Sequence, residues 1–72
     1  MKKTLGLEIR KARTRAGITC TELARRVGVS RRTIDYWERG ARFPDTKRIL
    51  ILCNILGKNV NDFLIYKIED KN

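Results

Sequence analysis

The hydrophobic and polar residues of this chain alternate with the period of an α-helix. Apolar side chains recur three or four residues apart, a spacing that places them on one face of a helix. The predicted helices cover residues 4–16, 19–28, 31–39 and 46–56, and a short fifth helix begins near residue 59. Because no segment shows the strict alternation of a half-buried strand, the pattern predicts an all-α fold of five helices.

The first, fourth and fifth helices differ in how much apolar surface they carry. The first has one apolar stripe, formed by Leu5, Ile9, Ala12 and Ala16. The fourth contains I-L-I-L-C-N-I-L and is apolar almost all round, so we expect it to be the central packing element or to be half covered by a partner. The fifth is followed by a tail at residues 67–72 that we expect to fray. Residues 1–66 are therefore predicted to form one domain.

The residues at the ends of the second and third helices predict a tight connection between them. Thr19, with Glu22 three residues later, is a capping-box pair that begins a helix. Gly28 ends this helix in the left-handed conformation, and Ser30 caps the next one. Two helices separated by a few residues around a glycine are typical of a helix-turn-helix, here at about residues 19–39.

The third helix has two unlike faces. Ile34 and Trp37 lie on one side, where we expect them to be buried. Five side chains lie on the other side: Arg31, Arg32, Asp35, Tyr36 and Arg39. Arginine has a planar fork of donors that suits guanine edges and phosphates. A solvated basic face is the alternative, but the preceding helix, the glycine turn and the net charge favour nucleic-acid binding.

The charge of the chain indicates a polyanionic partner. Its 72 residues include 17 basic and 8 acidic side chains, which give a net charge of +9. Nucleic acid is the first candidate and an anionic membrane surface the second. A membrane role is disfavoured because no apolar run approaches the roughly 18–20 residues of a span. The charged start of the chain is unlike a signal peptide, so a cytoplasmic location is expected.

The chain offers little chemistry for catalysis or metal binding. It contains no histidine and only two cysteines, Cys20 and Cys53, too few ligands for a four-ligand zinc site. No nucleophile and base occur at a suggestive spacing, so we expect neither an enzyme nor a cofactor. Both cysteines occupy apolar-facing positions, which favours buried free thiols, with a single disulfide as the alternative.

The motif E-L-A-x-x-V-G-V-S-x-x-T-I-x-x-W-E-R-G, from Glu22 to Gly40, is specific when its parts are taken together. With L-G-L-E-I-R-K-A-R before it and L-x-I-L-G-K-x-x-x-D-F-L after it, the chain resembles the phage-repressor and Cro-type helix-turn-helix family, the xenobiotic-response-element class. The resemblance extends from about Leu5 to Leu64. It implies a five-helix, lambda-repressor-like domain that places its third helix in the DNA major groove, usually as a dimer on a palindromic operator.

The resemblance also implies roles for individual residues of the third helix. Arg31, Arg32 and Tyr36 match base-reading positions, and Thr33 matches a position that touches phosphate or a thymine methyl. For Asp35 two roles remain open: it accepts a hydrogen bond from cytosine N4, or it pairs with arginines four residues away and orients them.

Other positions are expected to grip phosphates. Cys20 stands where the family commonly has a phosphate-binding glutamine, and a thiol is a poor donor, so nearby hydroxyls are expected to help. The complete set of predicted DNA contacts is Thr19, Cys20, Thr21, Ser30, Arg31, Arg32, Thr33, Asp35, Tyr36, Arg39, Arg42 and Lys47. Arg13 and Glu38 match a family pair that joins the first helix to the end of the third by an ion bridge.

The surplus apolar residues near the C-terminus predict a homodimer. We expect Phe63, Tyr66 and Ile68 to lie near solvent in a single copy. The predicted interface consists of Lys58, Asn59, Val60, Phe63, Tyr66 and Ile68. The expected function is sequence-specific regulation of transcription, with repression preferred over activation. An antitoxin-type regulator that also binds a partner protein is the alternative, and a protein-binding adaptor is a further one.

Overall fold

The structure, a computed structural model, describes the backbone of residues 4–71 and the side chains of residues 5–65. Five helices follow one another along the chain: α1 (Thr4–Arg15), α2 (Cys20–Val27), α3 (Arg31–Arg39), α4 (Thr46–Leu56) and α5 (Val60–Lys71). No strand occurs within residues 4–71. The predicted all-α fold with a helix-turn-helix is therefore confirmed.

Side-chain caps determine where the three central helices begin. The side-chain oxygens of Thr19, Ser30 and Asp45 each accept a hydrogen bond from the amide three residues later, at 3.1, 3.1 and 2.9 Å. Such a bond satisfies one of the amides that a helix start leaves without a partner. Gly28 ends α2 with a φ of 87°, a conformation that costs glycine little because it has no Cβ. These predicted caps are confirmed.

The capping box at the start of α2 is only half formed. Thr19 accepts the amide of Glu22, but the Glu22 carboxylate binds Arg25 and Arg26 on the same helix, with its Oε2 2.8 Å from Nε of Arg26. Hydrogen bonds from Arg25 and then Arg26 lower the pKa of Glu22 from 4.5 to about 2. The carboxylate therefore stabilises the α2 surface instead of the Thr19 amide.

The core is formed where the apolar stripes of all five helices meet. Fully buried residues come from every helix, and the largest of them is Phe63, with 0% of its surface exposed. The expectation that Phe63 lies near solvent is wrong, because α5 turns this ring inward against α1 and α4, with which it packs. The core consists of Leu5, Ile9, Ala12, Leu23, Ala24, Val27, Ile34, Trp37, Ile49, Leu52, Cys53, Leu56 and Phe63.

The contact between α1 and α3 depends on a glycine inside α1. A Cβ added at Gly6 would overlap the backbone carbonyl oxygens of Trp37 and Glu38. Because those atoms belong to the end of α3, no change of side-chain rotamer could relieve the overlap. Gly6 therefore allows α1 to lie directly against the C-terminal end of α3.

Two helix ends differ from the prediction. The helix α1 ends at Arg15, so Ala16 lies beyond its apolar stripe and is exposed. The helix α5 continues to Lys71, so residues 67–71, predicted to be a tail, are helical. Within the described part of the chain, no helix is long and apolar enough to span a membrane.

Candidate nucleic-acid interface

The outer face of α3 presents charged side chains because its inner face is fixed in the core. Ile34 is 0% exposed and Trp37 is 5% exposed, which turns the opposite side of the helix to solvent. Arg31 and Arg32, in the first turn, are exposed there. Among the hydrogen bonds and ion pairs of the described residues, neither guanidinium has a partner. Their donors are therefore available to an external acceptor.

Asp35 and Arg39 form an ion pair on the same face. Asp35 Oδ2 lies 2.9 Å from Arg39 Nε, and the two side chains are 52% and 59% exposed. Such an exposed pair adds little stability, so its main effect is to orient Arg39. Of the two arginines proposed as partners for Asp35, the structure pairs it with Arg39, and within the described ion pairs none joins it to Arg31.

Tyr36 connects α3 to the loop that follows it. The guanidinium carbons of Arg39 and Arg42 lie over its ring, 5.6 and 5.4 Å from the ring centroid. These distances are within the range of a cation–π interaction. The Tyr36 carbonyl also accepts hydrogen bonds from the amides of Ala41, at 2.9 Å, and Arg42, at 3.4 Å. The loop therefore has both side-chain and backbone contacts with one residue of α3.

A groove separates α3 from this loop and from the start of α4. It has a volume of about 470 Å³. It is lined by Val29, Thr33, Tyr36, Trp37, Arg42, Phe43, Pro44, Asp45 and Arg48. Apolar groups and two guanidinium groups line the same groove, a combination that suits a sugar and its phosphate.

The hydroxyl-bearing residues predicted to bind phosphate lie at two helix starts. At the start of α3, Ser30 Oγ and Thr33 Oγ1 are 2.9 Å apart, so the two hydroxyls form one hydrogen-bonded pair. At the start of α2, Thr19 and Thr21 are exposed. The first amides of each helix have no acceptor inside it, which makes both starts suitable for an anion. Lys47 is exposed near the start of α4.

The Cys20 side chain is directed away from the other residues predicted to bind phosphate. Its Sγ lies 4.0 Å from Glu38 Oε1, and the residue is half-buried. The thiol thus packs toward the end of α3, and only the backbone of this position shares the exposed start of α2. Cys20 and Cys53 are both free thiols, so the alternative of a disulfide between them is wrong.

A partly buried ion pair ties α1 to the end of α3. Arg13 Nε lies 2.6 Å from Glu38 Oε2, and Arg13 Nη2 lies 3.2 Å from Oε1. A third donor, Nη1, binds the Ile18 carbonyl at 2.9 Å. The two charged side chains are only 15% and 9% exposed, and the hydrogen bond with Glu38 raises the pKa of Arg13. This pair fixes α1, the start of α2 and the end of α3 relative to one another.

The residues predicted to form a dimer interface are divided by the structure. Asn59 is exposed, Lys58 and Val60 are half-buried, and Phe63 is in the core. The side chains of Tyr66 and Ile68 lie outside the described residues. Three large apolar side chains are exposed among the described residues: Leu50 on α4, at 48%, Ile65 on α5, at 54%, and Leu7 on α1, at 50%.

The sequence did not indicate that Leu50 and Ile65 are exposed or that Gly6 lies at a helix contact. The helix α4 is apolar almost all round, and Phe63, Leu64 and Ile65 are consecutive on α5, so periodicity did not show which of these residues would be exposed. For Gly6 a signal was present, because a glycine inside a helical segment costs about 1 kcal/mol relative to alanine and suggests a packing reason.

Comparison with known proteins gives a consistent result. A family model described as a helix-turn-helix domain matches residues 4–61. An uncharacterized HTH-type transcriptional regulator of Archaeoglobus fulgidus is 32% identical over 62 residues, which are 86% of this chain and 89% of that protein. The HTH-type transcriptional regulator ImmR of Bacillus subtilis is 33% identical over 66 residues, which are 92% of this chain and 51% of ImmR. This chain therefore spans about half the length of ImmR.

Solved structures agree with the sequence relatives. The clp gene regulator ClgR from Corynebacterium glutamicum superposes with a TM-score of 0.81 at 32% identity, over 90% of this chain and 69% of that chain. A second crystal structure of this regulator gives a TM-score of 0.79 at 30% identity, over 99% and 92% of the two chains. Because the family model matches most of the chain, and relatives at 30% identity or more match it over most of its length, the chain belongs to the helix-turn-helix family of DNA-binding transcriptional regulators, which are not enzymes.

Proposed function

We propose that this chain represses transcription by binding a palindromic operator as a homodimer, with α3 of each copy in the major groove. The observation that carries the proposal is the exposed pair Arg31 and Arg32 in the first turn of α3, whose guanidinium groups have no partner among the described residues. A helix fits the major groove of B-DNA, and the N-terminal residues of a recognition helix contact base edges. Because its target is DNA, we expect the protein to act in the cytoplasm.

Base readout is assigned to the two arginines that are not held within the protein. Arginine binds guanine O6 and N7 through two parallel hydrogen bonds, the commonest specific contact in the major groove. Arg39, in contrast, is held by Asp35 at 2.9 Å and lies about two turns farther along the helix. Asp35 is thereby occupied, so we assign it the orienting role and not that of a cytosine acceptor.

Phosphate contacts are assigned to the helix starts and to the exposed cations beside α3. The hydroxyls of Ser30 and Thr33 lie at the start of the recognition helix, and those of Thr19 and Thr21 at the start of α2. Contacts to phosphate fix the orientation of the protein without reading sequence. Arg42, in the loop after α3, and Lys47, on α4, are assigned further contacts to phosphate. Cys20 contributes only its backbone amide, since its thiol is directed to Glu38.

A dimer supplies the specificity that one recognition helix lacks. One helix reads only a few base pairs, whereas two helices about 34–36 Å apart read half-sites separated by one turn of DNA. The exposed Ile65 on α5 and the half-buried Val60 at its start provide apolar surface for a two-fold contact. Lys58 and Asn59 precede them in the loop. Phe63 is not part of this surface because it is fully buried within one copy.

Replacement of Ile65 by glutamate tests the dimer. The matched control is Leu7→Glu, because Leu7 on α1 is 50% exposed and Ile65 is 54% exposed. We expect Ile65→Glu to abolish cooperative operator binding, measured by titration, and to lower the mass seen by light scattering, while Leu7→Glu leaves both unchanged. A wild-type protein that stays monomeric at high concentration and fills half-sites independently would rule out the dimer.

Selection of bound sequences from a random DNA pool tests the function directly. We expect a palindromic consensus with half-sites one helical turn apart. Arg31→Ala should then cost about 1–3 kcal/mol at the operator and relax preference at particular base pairs. Arg10→Ala is the control, since this arginine is exposed on α1, outside the assigned interface. If Arg31→Ala weakens random DNA as much as operator DNA, the arginine does not read bases.

Transcription in vitro from a promoter that contains the selected site tests the direction of regulation. A dimer that covers the promoter excludes polymerase, so added protein should lower transcript yield, and Arg31→Ala should require more protein for the same effect. Increased transcript yield would show that the protein activates instead.

Binding to a partner protein is a second candidate function, which the exposed Leu50 on α4 favours. Leu50 is 48% exposed on a helix whose neighbouring residues are strongly apolar. Replacement of Leu50 by serine should leave operator binding unchanged if this side chain serves a partner. Loss of operator cooperativity would place Leu50 in the homodimer contact instead.

A further inference from the structure

Tyr36 holds Arg42 in two independent ways. Its carbonyl accepts the Arg42 amide at 3.4 Å and the neighbouring Ala41 amide at 2.9 Å. Its ring lies beneath the Arg42 guanidinium, with the guanidinium carbon 5.4 Å from the ring centroid. Arg42 belongs to the loop between α3 and α4, and without these contacts its long side chain would be free in solvent. The structure thus couples a cation of the loop to the recognition helix.

This arrangement leaves the donors of Arg42 available. No hydrogen bond within the described residues uses the Arg42 guanidinium, so its five N–H donors are unused. Arg42 is exposed and forms no ion pair within the described residues. The guanidinium is therefore oriented but not neutralised, which is the state required to bind a phosphate through two parallel hydrogen bonds.

The ring of Tyr36 is correspondingly less available to DNA. A second guanidinium, that of Arg39, also lies over it, 5.6 Å from the centroid. Arg39 is in addition held by Asp35 at 2.9 Å, so it keeps an anchor even without the ring. Within the described part of the chain, Arg42 has no such second side-chain anchor. Loss of the ring should thus free Arg42 far more than Arg39.

We propose that Tyr36 is a positioning residue that holds Arg42 against α3, so that Arg42 binds a DNA phosphate beside the groove that the recognition helix enters. The inference rests on the proposed function, because it requires α3 to lie in the major groove. It changes the role of Tyr36 from the reading of bases to the orientation of a phosphate contact. Thr33, Phe43 and Pro44 line the groove next to Arg42, where the adjoining sugar fits.

The salt dependence of operator binding distinguishes this role from a merely structural one. Each phosphate contact adds about 0.9 to the slope of log K against log salt concentration. Arg42→Gln should therefore lower the slope by roughly one. Tyr36→Leu should lower it similarly and weaken binding about two- to fivefold, the factor that matches a cation–π contact of 0.5–1 kcal/mol. Tyr36→Phe keeps the ring and should retain the wild-type slope, and the double variant Y36L/R42Q should lose no more than Arg42→Gln alone.

Three results would overturn the proposal. A wild-type slope in Tyr36→Leu would show that Arg42 reaches its phosphate unaided. Equal losses in Tyr36→Phe and Tyr36→Leu would show that the Tyr36 hydroxyl contacts DNA. An unchanged slope in Arg42→Gln would show that Arg42 binds no phosphate.

A measurement on the free protein separates failure of this inference from failure of the proposed function. Protons of the Arg42 side chain lie over an aromatic ring, so their NMR signals should be shifted upfield in the wild type and in Tyr36→Phe, and should return to ordinary positions in Tyr36→Leu. If the wild type selects no DNA sequence, the proposed function fails, and these shifts still decide whether Tyr36 holds Arg42. Ordinary Arg42 shifts in the wild type would overturn the inference even if operator binding is confirmed.

Discussion

Removal of either member of the Arg13–Glu38 pair should destabilise the fold by more than removal of an exposed charge. Arg13→Met leaves the Glu38 carboxylate, which is 9% exposed, without its cation, and it leaves the Ile18 carbonyl without its donor. Breaking a buried ion pair costs about 3–5 kcal/mol. Because the Arg13 side chain is 15% exposed and water can reach the site in part, we expect Arg13→Met to lower the unfolding free energy by about 2–4 kcal/mol.

Removal of Glu38 should lower the unfolding free energy less than removal of Arg13. Glu38→Leu leaves a guanidinium that keeps the Ile18 carbonyl as one acceptor at 2.9 Å and can turn its other donors toward solvent. The double variant R13M/E38L leaves no charge at the site, so its loss should be smaller than the sum of the two single losses by about 1–3 kcal/mol. A domain of 72 residues has a stability of about 4–11 kcal/mol, which makes these differences a large part of the total.

Urea denaturation followed by circular dichroism measures all of these free energies. The control is Lys11→Met, which also replaces a cation of α1 by methionine but breaks an exposed ion pair. In that pair Lys11 Nζ lies 3.6 Å from Glu8 Oε2, and the lysine side chain is 67% exposed. This control should lose less than about 1 kcal/mol. Added salt should weaken the exposed pair much more than the coupling of the partly buried Arg13–Glu38 pair. Additive losses in the cycle, or equal losses in Arg13→Met and Lys11→Met, would refute the reasoning.

Three further predictions concern single positions. Gly6→Ala should lower the unfolding free energy by about 1–2 kcal/mol, because the forced separation of α1 and α3 outweighs the gain in helix propensity. Urea denaturation measures this difference. A variant more stable than the wild type would contradict the close contact of Gly6 with α3. The Glu22 carboxyl should titrate with a midpoint near pH 2 when followed by NMR. The stabilisation from its charged form is therefore complete above its unfolded pKa of about 4.5 and is lost as the pH falls through about 2. A midpoint near 4.5 would show that Arg25 and Arg26 do not bind this carboxylate. Burial raises the pKa of Cys53, so an alkylating reagent should modify it only as the protein unfolds, whereas half-buried Cys20 should react in the folded state.

The sequence by itself determined the helices and most of their ends. Caps such as Ser30 and Gly28 act on amides and carbonyls within a few residues of themselves, so their effect does not depend on the rest of the fold. The two faces of α3 were likewise predictable from helical periodicity. This periodicity places Ile34 and Trp37, which are buried, on the side of the helix opposite the exposed arginines. The family motif combines these local features, and it therefore identified the helix-turn-helix before any contact between helices was known.

Tertiary structure decided which of several apolar or charged side chains finds a partner. Phe63 and Ile65 lie two residues apart on α5, yet one is fully buried and the other is 54% exposed, because α1 and α4 cover only one side of that helix. The same reason applies to Tyr36, whose ring contacts a loop arginine only because the chain turns back after Gly40. Helical periodicity shows which residues share a face. The elements that pack around a helix decide which of its faces is covered, and this arrangement of distant segments is absent from any local pattern.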